Sequence, residues 1–413
     1  MKKIIVAIDS FKGCLTSAEA NQAASEGVFA KMPEAEVVQI PVSDGGEGWL
    51  EAFNVAIGGE LVEVNVNDPL MRPIVAQYLM QGDTAVIEIA KASGLTLLSP
   101  EERNPMVATS YGTGQLVVDA VRKGCKRIIV GLGGSATSDC GIGMLRAIID
   151  SLTSGRACSR SAIESSSDCS HSIAAFSKGG NWDDVRELDD VRFTIATDVT
   201  NPLCGENGAA HVFAPQKFAI KREQSELDSI AEREQTRPQV KGAIHEQVLA
   251  LDARAKRFAE ASAKHLGRDC QNMPGAGAAG GLGYALLQYM NAECRSGIDL
   301  LLDTIHFDDL LQDANLVITG EGSADRQTLM GKLPFGILQR ARPHPLPPSP
   351  KGEGEAFDVP VMLIAGRIAD EQQLLAAGFS RVTCINPPGL PLEIAMQPAT
   401  AKENIRRVMA LIS

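Results

Sequence analysis

Short apolar, β-branched runs recur along the chain at residues 4–8, 127–132, 192–196, 316–319 and 359–365, and each gives way to a turn and a helical pattern. Strands alternating with helices predict parallel βαβ units, hence an α/β fold. The runs are nearly continuous in apolar residues, as expected of strands covered on both faces. A chain of 413 residues is long enough for two such domains, each with a sizeable core.

Composition narrows the function. A formal net charge of −12 without a basic face argues against a nucleic-acid partner. An acidic protein can still hold anions, through helix N-termini, glycine turns and a few lysines. The 39 glycines favour tight turns and close backbone approach, and aromatic content of 4% leaves little for stacking platforms. Nine scattered cysteines, an odd number with no C-x-x-C pair, point to a reducing, cytoplasmic compartment. The first apolar run stops at Asp9, too short for a signal peptide. No run of about 18 apolar residues exists, so no membrane span is expected. The six histidines lie apart, which argues against a zinc site.

Three stretches break the pattern. Residues 151–181 are rich in Ser and Cys and predict an irregular loop. Residues 219–268 are charged and Ala-rich and predict an exposed helical hairpin. Residues 343–355, PHPLPPSPKGEGE, read as a low-complexity linker.

Six segments have the residue types that phosphate chemistry needs. DSFKG follows the first strand, placing Asp9, Ser10 and Lys12 where ligands meet an α/β sheet. SDGGEG at 43–48 puts Asp44 before Gly45 and Gly46. GLGGSATSD at 131–139 is a strand, a loop and a helix start; Gly133, Gly134, Ser135, Ala136 and Thr137 offer amides and hydroxyls to phosphate. ATDVTN at 196–201 sets Asp198 and Asn201 at a strand end. PGAGAAGGLG at 274–283 contains Gly275, Gly277 and Gly280. TGEGSADRQTLMGK at 319–332 gathers Glu321, Asp325, Gln327 and Lys332, a set suited to metal and phosphate. Each segment has a plainer reading as a helix cap or turn. The glycine-rich texts at 131–139 and 274–283 also match the dinucleotide fingerprint, but neither leads to an acid at the end of a second strand.

In this order, together with IEIAKASGLTL at 87–97, RNPMVATSYGTG at 103–114 and FAPQK at 213–217, the segments resemble the bacterial type I glycerate kinase family. The resemblance runs from residue 1 to about 150, from about 191 to 217, and from about 270 to the end. It implies two α/β domains with mostly parallel sheets and an active-site cleft between them. Residues 1–72 and 299–413 would form a discontinuous Rossmann-like domain, and 73–298 an inserted domain carrying the glycine-rich loops. The implied reaction moves the γ-phosphoryl group of ATP to a hydroxyl of D-glycerate with Mg²⁺, 2-phosphoglycerate being the favoured product. The expected partners are glycerate and ATP, with neither nucleic acid nor membrane; a homodimer is an arrangement open to the chain.

Within that reaction, Asp198 is the candidate base, and Asp325 and Asp44 are candidates for metal or substrate contact. Lys12 and Lys332 neutralise carboxylate or phosphate, and residues 135–137 cradle phosphate. The Ser/Cys-rich stretch, the charged 218–268 region and the PHPLPPSPKGEGE text depart from the family pattern. They leave open a second reading, a non-catalytic ligand-binding relic of the same family. The fingerprint matches keep an oxidoreductase as a distant third.

Overall fold

The computed structural model describes residues 2–43, 45–46, 48–152, 186–218, 230–342 and 358–412. Eleven strands occur among them: β1 (Lys3–Ile8), β2 (Glu36–Gln39), β3 (Glu60–Asn67), β4 (Pro73–Gln81), β5 (Thr84–Glu88), β6 (Arg127–Gly131), β7 (Arg192–Ala196), β8 (Glu293–Arg295), β9 (Leu316–Ala324), β10 (Val361–Ile368) and β11 (Arg381–Cys384). The predicted α/β class is what the chain adopts, with two mostly parallel sheets. The chain divides into two compact units, residues 1–58 with 296–413, and residues 59–295.

The first unit holds a five-stranded parallel sheet in the order β11-β10-β9-β1-β2. Residues 4–8 are all buried, as the unbroken apolar run requires of a central strand. Ile4, Val6 and Ile8 pack with Ala20, Ala24 and Val28 of the helix Ser17–Lys31 and with Ile405 and Met409 of the helix Pro398–Met409. Thr16 starts the first of these helices with a reciprocal cap: its hydroxyl accepts from the Glu19 amide, and Glu19 accepts from the Thr16 amide at 3.0 Å.

The second unit holds a six-stranded sheet in the order β3-β4-β5-β6-β7-β8. From β5 onward the pairing is parallel, while β3, β4 and β5 form antiparallel hairpins. The sequence suggests a boundary at residue 72, but the units divide at Gly58: β3 pairs with β4 along its whole length and so belongs to the same unit. The core joins Ile128 and Val130 of β6 to Leu116 and Val117 of the helix Tyr111–Arg122 and Leu145 and Ile148 of the helix Ile142–Leu152.

The expected hairpin over 219–268 is instead one helix, Ile230–Leu266, with residues 219–229 outside the described chain. From Val248 onward one face of it is buried rather than exposed. Val248, Leu251, Ala255, Phe258 and Ala259 recur every three or four residues and are buried, and Phe258 stacks on Tyr289 at 6.1 Å. Residues 153–181 of the Ser/Cys-rich stretch and the 343–355 linker also lie outside the described residues. Among the described residues no helix is long and apolar enough to cross a membrane.

Candidate active site

In the first unit the chain turns from β1 to β2 on one side, while β9, β10 and β11 extend on the other. The carboxyl ends of β1 and β9 therefore form a topological switch point, the usual ligand position in an open α/β sheet. DSFKG and TGEGSADR meet there. The Asp9 amide donates to the Gly320 carbonyl at 2.9 Å, and Asp9 Oδ1 accepts from the Ser10 amide at 2.7 Å. Lys12 is exposed on the turn that follows. Ser17 Oγ donates to the Ile8 carbonyl at 2.6 Å and accepts from the Val42 amide at 2.9 Å. It thereby fastens the end of β1 to the segment leading to Gly45 and Gly46; Asp44 lies outside the described residues.

Glu321 is buried near the end of β9. Thr328 Oγ1 donates to Glu321 Oε1 at 2.6 Å, and Lys332 Nζ donates to Oε2 at 3.2 Å. Burial raises the pKa of this carboxyl above the ordinary value, and the Thr328 and Lys332 contacts oppose the rise. Asp325 caps the short 3₁₀ turn Arg326–Met330, accepting from the Gln327 amide at 2.7 Å, while its own amide donates to Thr328 Oγ1 at 3.1 Å. Thr328 thus links the two acids.

In the second unit, three segments converge at the carboxyl ends of β6 and β7. The 133–137 loop is pinned on one side, where the Ala136 amide donates to the Ser93 carbonyl and the Leu95 amide to the Gly134 carbonyl, each at 2.9 Å. Within it, the hydroxyls of Ser135 and Thr137 lie 2.9 Å apart, and Ser135 Oγ accepts from the Thr137 amide at 3.1 Å. On the other side sits the 274–283 segment. Gly280 has a φ of +67°, and a Cβ there would lie 2.0 Å from the Thr137 carbonyl oxygen, so only glycine permits this approach. Gly277 donates its amide to the Asn201 carbonyl at 2.9 Å, and Asn201 Nδ2 donates to the Asn207 carbonyl at 2.8 Å. Gly275 abuts Thr197, so the loop after β7 is held against the same segment. Asp198 is exposed at the start of that loop.

Asp139 ends the glycine loop and starts the helix Ile142–Leu152. Its carboxylate accepts from the amides of Ser110 at 2.8 Å and of Gly141 and Gly143 at 3.1 Å, and from Ser110 Oγ at 2.8 Å. A carboxylate so capped is held at the positive end of the helix. Lys217 lies beneath this loop, with its Nζ donating to the Thr137 carbonyl at 2.6 Å. Complete burial pushes its ammonium down to about 8, and the negative charge of Asp139 opposes that fall.

The family model described as the glycerate kinase family matches residues 4–237 and 237–413. The chain belongs to the glycerate kinase family. It is therefore an enzyme of a kinase family. The glycerate kinase of Bacillus subtilis is 38% identical over 400 residues, covering 96% of this chain and 94% of that protein. The glycerate 2-kinase of Escherichia coli K12 is 35% identical over 399 residues, covering 93% and 91%. Among solved structures, a putative glycerate kinase 2 from Salmonella typhimurium LT2 superposes with a TM-score of 0.71 at 33% identity, covering 99% of this chain and 96% of that one.

For this member of the family, the sequence-predicted residues fall into two groups. Asp9, Ser10, Lys12, Gly45, Gly46, Glu321, Asp325, Gln327 and Lys332 lie in the first unit, and Gly133 to Thr137, Asp198, Asn201, Gly275, Gly277 and Gly280 in the second. The dinucleotide-fingerprint reading of 131–136 meets a different loop: the helix opens only at Ile142, well past the last fingerprint position. Sequence reasoning passed over three charged side chains. Lys217 is 4% exposed and Glu88, at the end of β5, is 1% exposed with Lys91 Nζ at 4.0 Å. Arg254 donates to the Ser138 carbonyl at 2.7 Å. Two of them lie in text that matches the family pattern, Lys217 in FAPQK and Glu88 in IEIAKASGLTL, while Arg254 lies outside it.

Proposed function

We propose that the protein is an ATP-dependent glycerate kinase that transfers the γ-phosphoryl group of ATP to D-glycerate in the cytoplasm, giving 2-phosphoglycerate and ADP. The observation that carries this reading is the placement of the family's motifs. Those following β1, β6, β7 and β9 lie at the carboxyl ends of strands paired in parallel. The product assignment is supported by the relative from Escherichia coli, whose name specifies the 2-kinase.

Phosphoryl transfer asks a protein for positioning and for charge neutralisation. In the second unit the 133–137 loop supplies amides and the Ser135 and Thr137 hydroxyls to phosphate oxygens. Asp198 takes the proton of the glycerate hydroxyl as that oxygen bonds to the γ-phosphorus and the bridging oxygen leaves with ADP. In the first unit Lys12 and Lys332 neutralise carboxylate or phosphate.

Mg²⁺ binds through one or two carboxylates and completes its shell with water and phosphate oxygens. Asp325 suits that role, being a partly exposed carboxylate with no cationic partner among the described residues. Asp325, with Asp44, would hold the ion, which neutralises phosphate charge when bound.

The test is an ADP-release assay with D-glycerate and Mg²⁺-ATP, followed by proton-coupled phosphorus NMR of the product. Phosphate on C2 couples to one carbon-bound proton and gives a doublet, while phosphate on C3 couples to two. Turnover with the doublet is expected. A triplet would move the product to the 3-phosphate, and binding without turnover would return the protein to the ligand-binding relic.

A further inference from the structure

We propose that Lys217 is a positioning residue for phosphoryl transfer, holding the 133–139 loop in its working shape through the Thr137 carbonyl. The inference rests on the reading of that loop as the phosphate cradle.

Two cations grip successive carbonyls of one loop. Lys217, in the short turn Pro215–Lys217, takes the Thr137 carbonyl at 2.6 Å, and Arg254, in the helix Ile230–Leu266, takes the Ser138 carbonyl at 2.7 Å. No cis peptide occurs among the described residues, and in a trans peptide the N–H points opposite to the C=O. The amides of Ser138 and Asp139 therefore face away from the two cations. Neither amide donates to a protein acceptor among the described residues, and Ser138 Oγ is buried without a partner. Fixing the two carbonyls thus fixes the direction of two uncommitted donors.

The surroundings of Lys217 point the same way. Its ammonium has three donors and, among the described residues, one acceptor. Its amide donates to the Ala214 carbonyl at 2.9 Å, and Ala214 and the adjoining Phe218 are buried apolar side chains. Asp139 is the charged group that faces it from the loop, and Arg254 lies on the adjoining carbonyl. A methionine would fill such a place without the desolvation that a buried ammonium suffers. A lysine kept for packing alone would thus be replaceable, and one that orients the loop would not.

The experiment compares wild type with Lys217→Met, and with Lys217→Gln should the first variant fail to fold. Kinetics with ATP and D-glycerate, thermal melting and hydrogen exchange of peptides spanning 133–140 are measured on the full chain. The proposal expects kcat to fall by roughly tenfold or more with both KM values within about threefold, an undiminished Tm, and faster exchange confined to the loop. A kcat within about twofold of wild type, or a loss of activity only in step with loss of folded protein, overturns it. Should wild type itself show no turnover, the functional reading falls, and exchange alone decides: unchanged uptake in the variant overturns the clamp, and faster uptake supports it.

Discussion

Burial acts in opposite directions on two charged side chains of the candidate sites, and each direction has a pH consequence. Lys217 titrates near 8 when folded, below the usual lysine value of 10.5. Between those values the unfolded chain binds more protons than the folded one, so stability rises with pH across that window. Relative to Lys217→Met, wild type is expected to gain on the order of 3 kcal/mol as pH rises from about 8 to 10.5, measured by urea unfolding at several pH values. A constant difference would show that the ammonium is not desolvated. Glu321 is raised instead, so the stability its protonated form contributes is complete below about 4.5 and is lost as pH rises through its folded value. Lys332 opposes that rise. Lys332→Ala should therefore melt lower than wild type by a margin that is larger at pH 7 than at pH 5. It should also lose about a hundredfold in kcat/KM if the ammonium serves phosphate as proposed. Equal margins at both pH values would remove the coupling to Glu321. Asp198 gives the sharpest residue test. The amide of Val199 in its turn is already taken by Thr197 Oγ1 at 3.2 Å. Asp198→Asn is thus expected to keep its Tm while kcat drops at least about a hundredfold, with ATP binding retained. Normal turnover would pass the role of base to another acid, Asp325 first.

At the scale of elements, much of the architecture was legible because parallel strands buried on both faces leave unbroken apolar runs. Residues 4–8 and 192–196 announced β1 and β7 in this way. The antiparallel start of the second sheet was not legible. In β3 the sequence Glu60–Asn67 alternates, with Val62 and Val66 buried and Glu63 and Asn65 exposed, so it leaves no apolar run. The glycine loops are legible by composition, and FAPQK marks Lys217, yet no local pattern reveals that this lysine is buried beneath a loop some 80 residues earlier. Long-range ion pairing is equally silent in sequence. Arg340, on the helix Leu333–Ala341, meets Asp303 and lies 2.9 Å from Asp308 and 3.8 Å from Asp299, joining three helices of the first unit. Its side chain is 25% exposed. Replacing it with alanine removes the cation and leaves three acids together, so Arg340→Ala should lose about 1–2 kcal/mol by urea unfolding, with turnover per folded molecule unchanged. A loss below about 0.3 kcal/mol would class the cluster with ordinary surface pairs.

At the scale of the whole molecule, the first unit is made of two stretches of chain, and its second stretch itself contains the Pro- and Gly-rich text at 343–355. The described residues on either side show how the chain leaves and returns. The helix Leu333–Ala341 ends, and the Val359 amide donates to the Ala341 carbonyl at 2.9 Å. Arg342 pairs with Asp358 at 3.4 Å and donates through Nη1 to the Gly378 carbonyl at 2.5 Å. Exit and return are therefore neighbours, joined by contacts that do not involve residues 343–355. The apolar residues beyond the return, Val361, Leu363 and Ile364, are buried in β10, which pairs with β9 and β11. Closing a shorter loop between ends already held together changes little free energy, since each halving of loop length is worth only about 0.6 kcal/mol. Deleting residues 343–355 and joining the ends with a short Gly/Ser link is expected to leave Tm within about 2 °C of wild type, with kcat and both KM values unchanged. Lower Tm with retained contacts at Ala341 and Val359 would mean that the excised text packs on the unit. Retained Tm with lost turnover would instead assign the segment a part in catalysis.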